Sequence, residues 1–436
     1  MTSNYLQSIQ EGLSPTDRLY QIVKDGMCIG CGICQSEAGI ENIKMEIVEN
    51  DTERPIVHGE LDHDTMDRIM QLCPGTRVEG LPERLWDKDT KHDPVWGVWQ
   101  DMALVYATDP EVRHIGSTGG AMTALGIYLL EAGEVDFILH ATAAEHHPSF
   151  GKPFISRTKE DVLQAAGSRY GPTATLRDVH SVLEIASKNN ETFAFMGTPC
   201  DVSAIRNLAS INLNVDEYCR YMFAMVCGGF MEPAGMRNFL NTIDIDYDDV
   251  KTLRYRGYGC PGATRVETFD GKVVEKNYLE FWGEDEKAWR LPFRCKVCPD
   301  GIGDSTDIAF SDTWDGGSPT WEGQIGDPGT NAAIARTAEG KRLMYAAQDT
   351  GHLTVEKVIG PEDMSRYQPH QDNKKRTVWA RHAGIRSQNK VVPDTNGLRL
   401  KELAKENSVE FNLFQAKGSR KRIKEGKTSE DLPRVK

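Results

Sequence analysis

Long hydrophobic runs are missing from this sequence. The most apolar helical stretch, AMTALGIYLL, has ten residues, about half the length that an α-helix needs to cross a bilayer. The first residues, MTSNYLQSIQEGLSPTDRLY, have neither the basic start nor the apolar core of a secretory signal peptide. We therefore expect a cytoplasmic protein with no membrane span.

Positive charge is also scarce. The 51 lysines and arginines are outnumbered by 65 aspartates and glutamates, which gives a formal net charge of -14. Affinity for nucleic acid comes largely from neutralising phosphates, so this balance argues against a nucleic-acid partner. The C-terminal stretch KGSRKRIKEGKTSEDLPRVK is basic and polar by contrast, and we expect it to be a mobile tail.

Cysteine is abundant: the chain has ten. Disulfides are rare in the reducing cytoplasm, so metal ligation is the leading explanation. The stretch MCIGCGIC carries Cys28, Cys31 and Cys34, and LCPG adds Cys73 before a proline. This is the ligand pattern of bacterial ferredoxins with the fourth cysteine displaced, and its glycines would let the loop wrap three thiolates around a 4Fe–4S cluster. Structural zinc is the alternative, although it usually takes paired C-x2-C units.

A second set of cysteines is less clearly defined. RCKVCP contains a C-x2-C pair, Cys295 and Cys298, while Cys200 in GTPCD and Cys227 in VCGGF follow predicted strands. Strand ends in an α/β sheet converge at one edge, so these four thiols could meet. The spacing alone leaves zinc, a redox dithiol and half of a cluster open. Cys219 is expected to be a packing residue.

From about residue 102 the pattern alternates between strand and helix. MALVYAT predicts a buried strand, and GSTGGAMTALGIYLLEAG predicts a glycine-rich loop followed by a helix with Thr118 as its cap. A DG turn between alternating runs predicts a β-hairpin further on. The fold class is therefore α/β (α+β), with a mixed rather than a purely parallel sheet. We predict four segments: a ferredoxin-like segment at 1–80, an α/β domain with the glycine-rich loop at 81–240, a second α/β domain at 241–390 and a helical basic tail at 391–436.

Several motifs in a fixed order carry a resemblance to a known family. They are MCIGCGIC, LCPG, GSTGGAMTAL, AAGSRYGPT, GTPCDVSAIR, YRGYGCPG, FRCKVCPDG, DIAFSDTW and TNAAIART. The chain resembles the coenzyme-deazaflavin hydrogenase/dehydrogenase beta-subunit family, which includes 7-hydroxymethyl chlorophyll a reductase and a divinyl-chlorophyllide vinyl reductase. The resemblance covers roughly residues 27–357 and implies a flavin enzyme with one or two 4Fe–4S clusters.

The resemblance also assigns ligands residue by residue. It makes Cys200, Cys227, Cys295 and Cys298 the ligands of a second cluster. A glycine-rich turn at a helix N-terminus offers N–H groups and a positive dipole to phosphate, although glycines there can also simply form a turn. The family places FAD at this turn and at AAGSRYGPT, with Arg169 directed to the pyrophosphate. The implied contacts are Ser117, Thr118, Gly119, Gly120, Gly167, Ser168, Arg169, Tyr170, Asn331 and Arg336.

Candidate catalytic groups lie in two places. His146 and His147 follow a predicted strand end, and a histidine there could deliver a proton. An ordinary surface pair of histidines is the alternative. Tyr258 and Cys260 lie in RYRGYGCPG, together with Tyr255 and Arg256, and this loop either lines the active site or has a structural role.

The resulting hypothesis is an electron relay. A one-electron donor such as ferredoxin would reduce two 4Fe–4S clusters, which would pass electrons to FAD and on to a small organic substrate. The alternatives are an electron-transfer beta subunit of a larger hydrogenase or dehydrogenase and a zinc-stabilised binding protein. Association into a homo-oligomer is compatible with any of these interpretations.

Overall fold

The computed structural model describes residues 4–283 and 289–436. Its strands are β1 Ile43–Ile47, β2 Glu53–Val57, β3 Lys91–Asp93, β4 Gly97–Trp99, β5 Asp101–Ala107, β6 Phe137–Ala143, β7 Gly151–Ser156, β8 Phe193–Gly197, β9 Cys219–Met225, β10 Val250–Arg254, β11 Thr264–Thr268, β12 Val273–Lys276, β13 Ile308–Asp312, β14 Asn331–Ala335 and β15 Leu353–Val358.

The helices connect and cover these strands. They are α1 Asn4–Ile9, α2 Pro15–Lys24, α3 Ile33–Ala38, α4 His63–Leu72, α5 Pro110–Ile115, α6 Ala121–Glu131, α7 Lys159–Gln164, α8 Val179–Asn189, α9 Pro199–Ala209, α10 Asn214–Tyr218, α11 Pro233–Thr242, α12 Tyr278–Trp282, α13 Phe293–Lys296, α14 Ala338–Asp349, α15 Pro361–Tyr367, α16 Pro369–Arg386, α17 Leu400–Lys405 and α18 Val409–Lys424.

A mixed eight-stranded sheet organises the molecule, in the order β15-β5-β14-β13-β9-β8-β6-β7. Strands β6, β8, β9 and β13 run parallel, whereas β14 pairs antiparallel with both β13 and β5. The carboxyl ends of β5, β6, β8, β9 and β13 therefore share one edge with the beginning of β14. The predicted α/β class with a mixed sheet is confirmed.

Helices pack on both faces of this sheet, because its strands are apolar on both sides. Ala103, Val105 and Ala107 of β5 lie in a core with residues of α6 and α14. Met102, the neighbour of Ala103 along the strand, points into a different core on the other side. Residues of α8 and α9 pack on Phe137 and other side chains of β6, β8 and β9. The result is a three-layer α/β/α arrangement.

Two smaller units flank the sheet. The N-terminal helices enclose the antiparallel pair β1–β2 and share a core with α16. Strands β10, β11 and β12 form an antiparallel sheet beside α11 and α12. The predicted hairpin is β11–β12, whose DG turn places Gly271 at φ +88°, in the left-handed region that favours glycine.

Strands on both sides of residue 240 belong to the same sheet, since β13, β14 and β15 complete the sheet begun by β5–β9. The division into four segments stays a prediction.

The C-terminal tail differs from the expected mobile segment. Helix α18 packs along α16, and Val435 forms a β-bridge with Val48. Beyond the helix, the Glu430 carboxylate accepts hydrogen bonds from the Arg54 guanidinium at 2.7 and 2.8 Å. The tail is basic, as predicted, but its acidic and apolar residues attach it to the N-terminal segment.

No helix among the described residues combines the length and the apolar character that a bilayer crossing demands.

Candidate functional site

The four N-terminal cysteines come together in the structure. Cys28, Cys31, Cys34 and Cys73 line one cavity with Gly30, Gly32, Pro74 and aliphatic side chains of α2. The thiols are close enough to influence one another electrostatically: Cys73 and Cys28 both raise the pKa of Cys34, after the larger effect of burial. Residues 39 positions apart in sequence thus share one site, as the ligand pattern predicted.

Two glycines allow the loop that carries three of these thiols. Gly30 and Gly32 have φ of +78° and +87°. A Cβ on Gly30 would lie 2.8 Å from the Glu53 carbonyl oxygen, and one on Gly32 would lie 2.7 Å from Arg177 Cβ. A side chain at either position would force the loop away from the cavity, so glycine is needed at both.

Backbone N–H groups point at the sulfur atoms of this site. The Gly75 N–H donates to Cys73 Sγ at 3.3 Å, and the N–H of Gly30 lowers the pKa of Cys28. Burial still dominates and raises the pKa of Cys73 to about 12. Metal-free thiols at this site are therefore protonated near neutral pH, and a bound metal centre would release their protons.

The second set of four cysteines also meets. Cys200 lies in the first turn of α9, Cys227 follows β9, Cys295 lies in α13 and Cys298 comes just after it. Burial, followed by the nearby Cys295 and Cys298, raises the pKa of Cys227 to about 12. Cys200 interacts with Cys227 and Cys298 in the same way.

Polar groups surround this second site as well. The Thr198 hydroxyl lies 3.0 Å from Cys200 Sγ, and the N–H groups of Gly229 and Phe230 lower the pKa values of Cys227 and Cys295. Hydrogen-bond donors around sulfur stabilise the negative charge of a thiolate-bound centre.

Each set of four thiols offers the donors that a 4Fe–4S cluster takes, which are also the donors of a four-cysteine zinc site. Across residues 4–283 and 289–436, no three His, Cys, Asp or Glu side chains converge on a point suited to one metal ion. A 4Fe–4S cluster places iron and sulfide between its four thiolates, so its ligands surround a larger space than those of a single zinc ion. Cys219 is separate from both groups, buried in the core beneath α8 and α9, as expected of a packing residue.

The two loops expected to contact a flavin lie against each other. Ser117 Oγ accepts hydrogen bonds from the Ser168 N–H at 2.7 Å and from the Ser168 hydroxyl at 2.9 Å. Arg256 Nη2 donates to the Ser117 carbonyl and to Thr118 Oγ1, both at 2.8 Å. The glycine-rich loop, the GSRY loop and the loop after β10 therefore converge at the carboxyl edge of the sheet, where α/β proteins bind their ligands.

Arg256 is the centre of this convergence. It is 4% exposed, and its Nη1 lies 3.0 Å from Asp312 Oδ2 and 3.3 Å from the Tyr170 hydroxyl. The rings of Tyr278 and Trp314 each have their centroid 5.0 Å from the guanidinium carbon. Burial opposes the positive charge, but Asp312 holds the pKa of Arg256 well above its usual range.

Asp312, Trp314 and Tyr278 were absent from the residues selected from the sequence. Asp312 and Trp314 lie within DIAFSDTW, directly at the end of β13. Their position after a buried strand is the signal that could have identified them. Tyr278 comes from α12, outside the large sheet, and its place depends on how β10–β12 pack.

Thr118 and Asn331 have roles that differ from those predicted. Thr118 does not cap α6, which begins at Ala121 after Gly120; its hydroxyl donates instead to Asp312 Oδ1. Asn331 Oδ1 accepts the Ala121 N–H at 3.2 Å and therefore fixes the start of the helix. A Cβ on Gly119 would lie 2.8 Å from that same oxygen, so the loop depends on this glycine.

Arg169 has a polar atom left without a partner. Its Nε is buried and has no hydrogen-bond acceptor in the described part of the chain. Burial lowers the pKa of Arg169, and no carboxylate counters that effect. A guanidinium in this state fits an anionic group supplied by a ligand, such as the pyrophosphate of FAD.

Arg336 lies away from this site, contrary to the expectation. Strand β14 runs antiparallel to β13, so Asn331 begins it at the site and Arg336 follows it at the opposite edge. The fully buried guanidinium donates to the carbonyls of Trp96, Val98 and Ile302 at 2.7–2.9 Å. These contacts give Arg336 a structural role.

The candidate catalytic residues differ in what they can offer. His147 is buried, with its ring nitrogens 2.6 Å from Ser149 Oγ and 2.9 Å from the Tyr247 carbonyl, so neither is free for a substrate. His146 packs against Phe150 but is exposed. Tyr258 is 53% exposed and stands edge-on to His114.

Cys260 belongs to the Arg256 loop. Its buried Sγ lies 3.4 Å from Asp327 Oδ2, and burial followed by Asp327 raises its pKa above the ordinary value. The thiol is therefore protonated at neutral pH and lies near the charges of Arg256 and Asp312.

Comparisons with known proteins agree with this arrangement. Residues 102–179 match the N-terminal region, and residues 190–360 the C-terminal region, of the beta subunit of coenzyme F420 hydrogenase/dehydrogenase. The chain belongs to this family. Both loops predicted to contact a flavin lie in the first region, while Asp312 and the second cysteine group lie in the second. The first cysteine group, Cys28 to Cys73, lies outside both.

Individual relatives extend the comparison. The chain is 33% identical over 259 residues to the F420-dependent formate dehydrogenase subunit beta of Methanocaldococcus jannaschii, covering 58% of this chain and 60% of that protein. It is 28% identical over 260 residues to the F420-dependent formate dehydrogenase 1 subunit beta of Methanococcus maripaludis, with the same coverage. The match thus spans about 60% of these relatives' own length.

Two further similarities reach more of this chain. A coenzyme F420-dependent sulfite reductase of Methanocaldococcus jannaschii is 21% identical over 78% of this chain, which corresponds to 49% of that protein. A chain of the F420-reducing [NiFe] hydrogenase complex of Methanosarcina barkeri superposes with a TM-score of 0.51 at 21% identity, over 67% of this chain and 96% of its own. The latter similarity establishes the shared fold of the family.

Proposed function

We propose that this protein is an electron-transferring beta subunit of an F420-linked oxidoreductase that binds two 4Fe–4S clusters and FAD. The observation that carries the proposal is the grouping of eight cysteines into two sets of four interacting thiols. The first set is Cys28, Cys31, Cys34 and Cys73, and the second is Cys200, Cys227, Cys295 and Cys298. Bound clusters would supply one-electron transfer, and a bound flavin would exchange electrons singly or in pairs.

The chain's own residues are arranged to hold these groups. The N–H groups around both cysteine sets would stabilise the negative charge of thiolate ligands. The unpartnered Arg169 Nε would bind the pyrophosphate of FAD near the glycine-rich loop. Arg256, neutralised by Asp312, would fix the positions of Ser117 and Thr118 rather than contribute free charge.

The proposed partner is a larger oxidoreductase subunit. The relatives' names describe beta subunits of F420-dependent formate dehydrogenases and hydrogenases, which favours the subunit interpretation over a self-contained ferredoxin-dependent reductase. By analogy with these relatives, another subunit of the complex oxidises or reduces the substrate and exchanges electrons with this chain. This chain in turn exchanges hydride with a deazaflavin.

The test is an anaerobic purification followed by quantification of iron, sulfide, zinc and released flavin on one sample. We expect about eight irons and one FAD per chain, the contents of two cubanes and one flavin site. The same sample should reduce F420 when a dithionite-reduced viologen supplies electrons. Stoichiometric zinc without flavin would contradict the proposal. Transfer to another acceptor but not to F420 would contradict the F420 assignment alone.

A further inference from the structure

Arg294 lies between the two cysteine groups. It belongs to α13, directly before Cys295, and is 2% exposed. Its Nη2 donates a 2.7 Å hydrogen bond to the carbonyl of Pro74, the residue that follows Cys73. One guanidinium therefore contacts the backbone of the first group while its own helix carries a ligand of the second.

The charge of Arg294 acts on both groups. Burial lowers the pKa of Arg294, but Cys298, Cys200 and Cys295 lie close enough that their thiolate forms would outweigh that effect and raise it. In the first group, Arg294 lowers the pKa of Cys73, partly offsetting the effect of burial. Its electrostatic contacts thus include one thiol of the first group and three of the second.

No carboxylate in the described part of the chain is among the main groups that act on Arg294. Among the groups that affect Arg294 in the described chain, those that favour its charge are cysteines, and its Nε has no hydrogen-bond partner there. Arg54 offers the contrast: it also lies near a cysteine, Cys28, but its guanidinium is paired with the Glu430 carboxylate. An uncompensated buried arginine is costly, so its natural counter-charge is the anionic centre that each cysteine group would hold.

We propose that Arg294 is a shared electrostatic positioning residue that makes both clusters easier to reduce and fixes their mutual placement through Pro74. This inference rests on the proposed function. A positive charge in a dry interior favours the more negative, reduced state of a neighbouring centre, and low dielectric makes the effect strong. Because Arg294 interacts with three thiols of the second group and one of the first, the second cluster should respond more.

The experiment is a spectroscopic redox titration of the purified holoprotein, read by visible absorption and by electron paramagnetic resonance. In Arg294→Met, which keeps much of the volume but removes the charge, we expect the reduction equilibrium of both clusters to become at least tenfold less favourable. For a one-electron step this is a shift of about 59 mV to more negative potential. Arg294→Lys keeps the charge and should shift both potentials by less than half as much.

Two control variants separate charge from general disturbance. Lys374 lowers the pKa values of Cys227 and Cys295 but is not among the groups that act on the first set, so Lys374→Met should shift only one cluster. Arg336 is equally buried and contacts carbonyls rather than thiols, so Arg336→Met should shift neither potential.

Each outcome of the titration either supports or overturns the role proposed for Arg294. Unchanged potentials in an iron-replete Arg294→Met, or equal shifts in the Met and Lys variants, would overturn the inference. If Arg294→Met loses iron, the iron contents of Arg294→Lys and Arg294→Gln are compared. Iron kept by the Lys variant and lost from the Gln variant would support a requirement for the charge, and any other pattern would overturn it. A wild-type protein without clusters would instead refute the proposed function.

Discussion

Arg256 and Asp312 form an ion pair, 3.0 Å between Nη1 and Oδ2, at the point where three loops from distant parts of the chain meet. Arg256 is buried, whereas the Asp312 side chain remains 27% exposed toward the candidate flavin site. The Asp312 carboxylate neutralises the buried positive charge of Arg256. The arginine still donates hydrogen bonds to Ser117 and Thr118. The ion pair therefore contributes both to the stability of this region and to the positions of the loops that form the site.

Replacing Asp312 with asparagine should test that link. The substitution leaves Arg256 buried without its counter-charge, so we expect the free energy of unfolding to fall by about 3 kcal/mol. Flavin content should fall with it, because an amide NH2 replaces the Asp312 oxygen that accepts from Arg256, and Arg256 holds Ser117 and Thr118 in place. Urea unfolding and quantification of released flavin measure the two effects. Asp315→Asn is the control: its carboxylate pairs with Arg366 at the surface, and little change in either quantity is expected.

Single cysteine substitutions should remove the two clusters independently. Cys34→Ser and Cys227→Ser each take one ligand from a different group of four, so each variant should lose about half of the iron. Cys219→Ser removes a buried thiol that belongs to neither group and should keep all of it. Iron and sulfide analysis after anaerobic purification makes the comparison, and an unchanged iron content in Cys227→Ser would contradict the ligand assignment.

Arg336→Met should destabilise the fold without emptying the flavin site. The three carbonyls of Trp96, Val98 and Ile302 would lose their donor in a buried place. Unsatisfied buried groups cost about 1–3 kcal/mol each, so a loss of roughly 3 kcal/mol in the free energy of unfolding is expected after relaxation. The variant purified in folded form should keep its flavin, and a selective loss of flavin at unchanged stability would restore Arg336 to the site.

Glu53 should make stability depend on pH near neutrality. Burial raises the pKa of its carboxyl from 4.5 to about 7, with Arg177 acting in the opposite direction. The folded state therefore binds this proton more tightly than the unfolded state, and the stabilisation is complete below pH 4.5 and lost as pH rises through 7. Glu53→Gln stays neutral, so its urea midpoint relative to wild type should rise steadily between about pH 5 and pH 8. A constant difference across that range would show that Glu53 titrates normally.

The cysteine ligands could be predicted from the sequence because their chemistry leaves a local pattern. Three cysteines in seven residues need a tight loop, and the glycines that permit it lie within the same motif. Ser117 could be selected as a candidate flavin contact because a glycine-rich turn before a helix has a recognisable form, whereas Ser168 was selected through the family resemblance. Their contact with each other, and the position of Arg256 above them, depend on the packing of separate loops.

Local periodicity and spacing were sufficient to predict the α/β class, the first cysteine group and the glycine-rich loop, whereas the second cysteine group was assigned through the family resemblance. Which distant residues come into contact depends on the tertiary packing. Asn331 and Arg336 are only five positions apart in one motif. They lie at opposite edges of the sheet because strand β14 runs between them. Packing also brought Arg294 to Pro74 across 220 positions, and local sequence contains no signal for a contact between two elements so far apart in the chain.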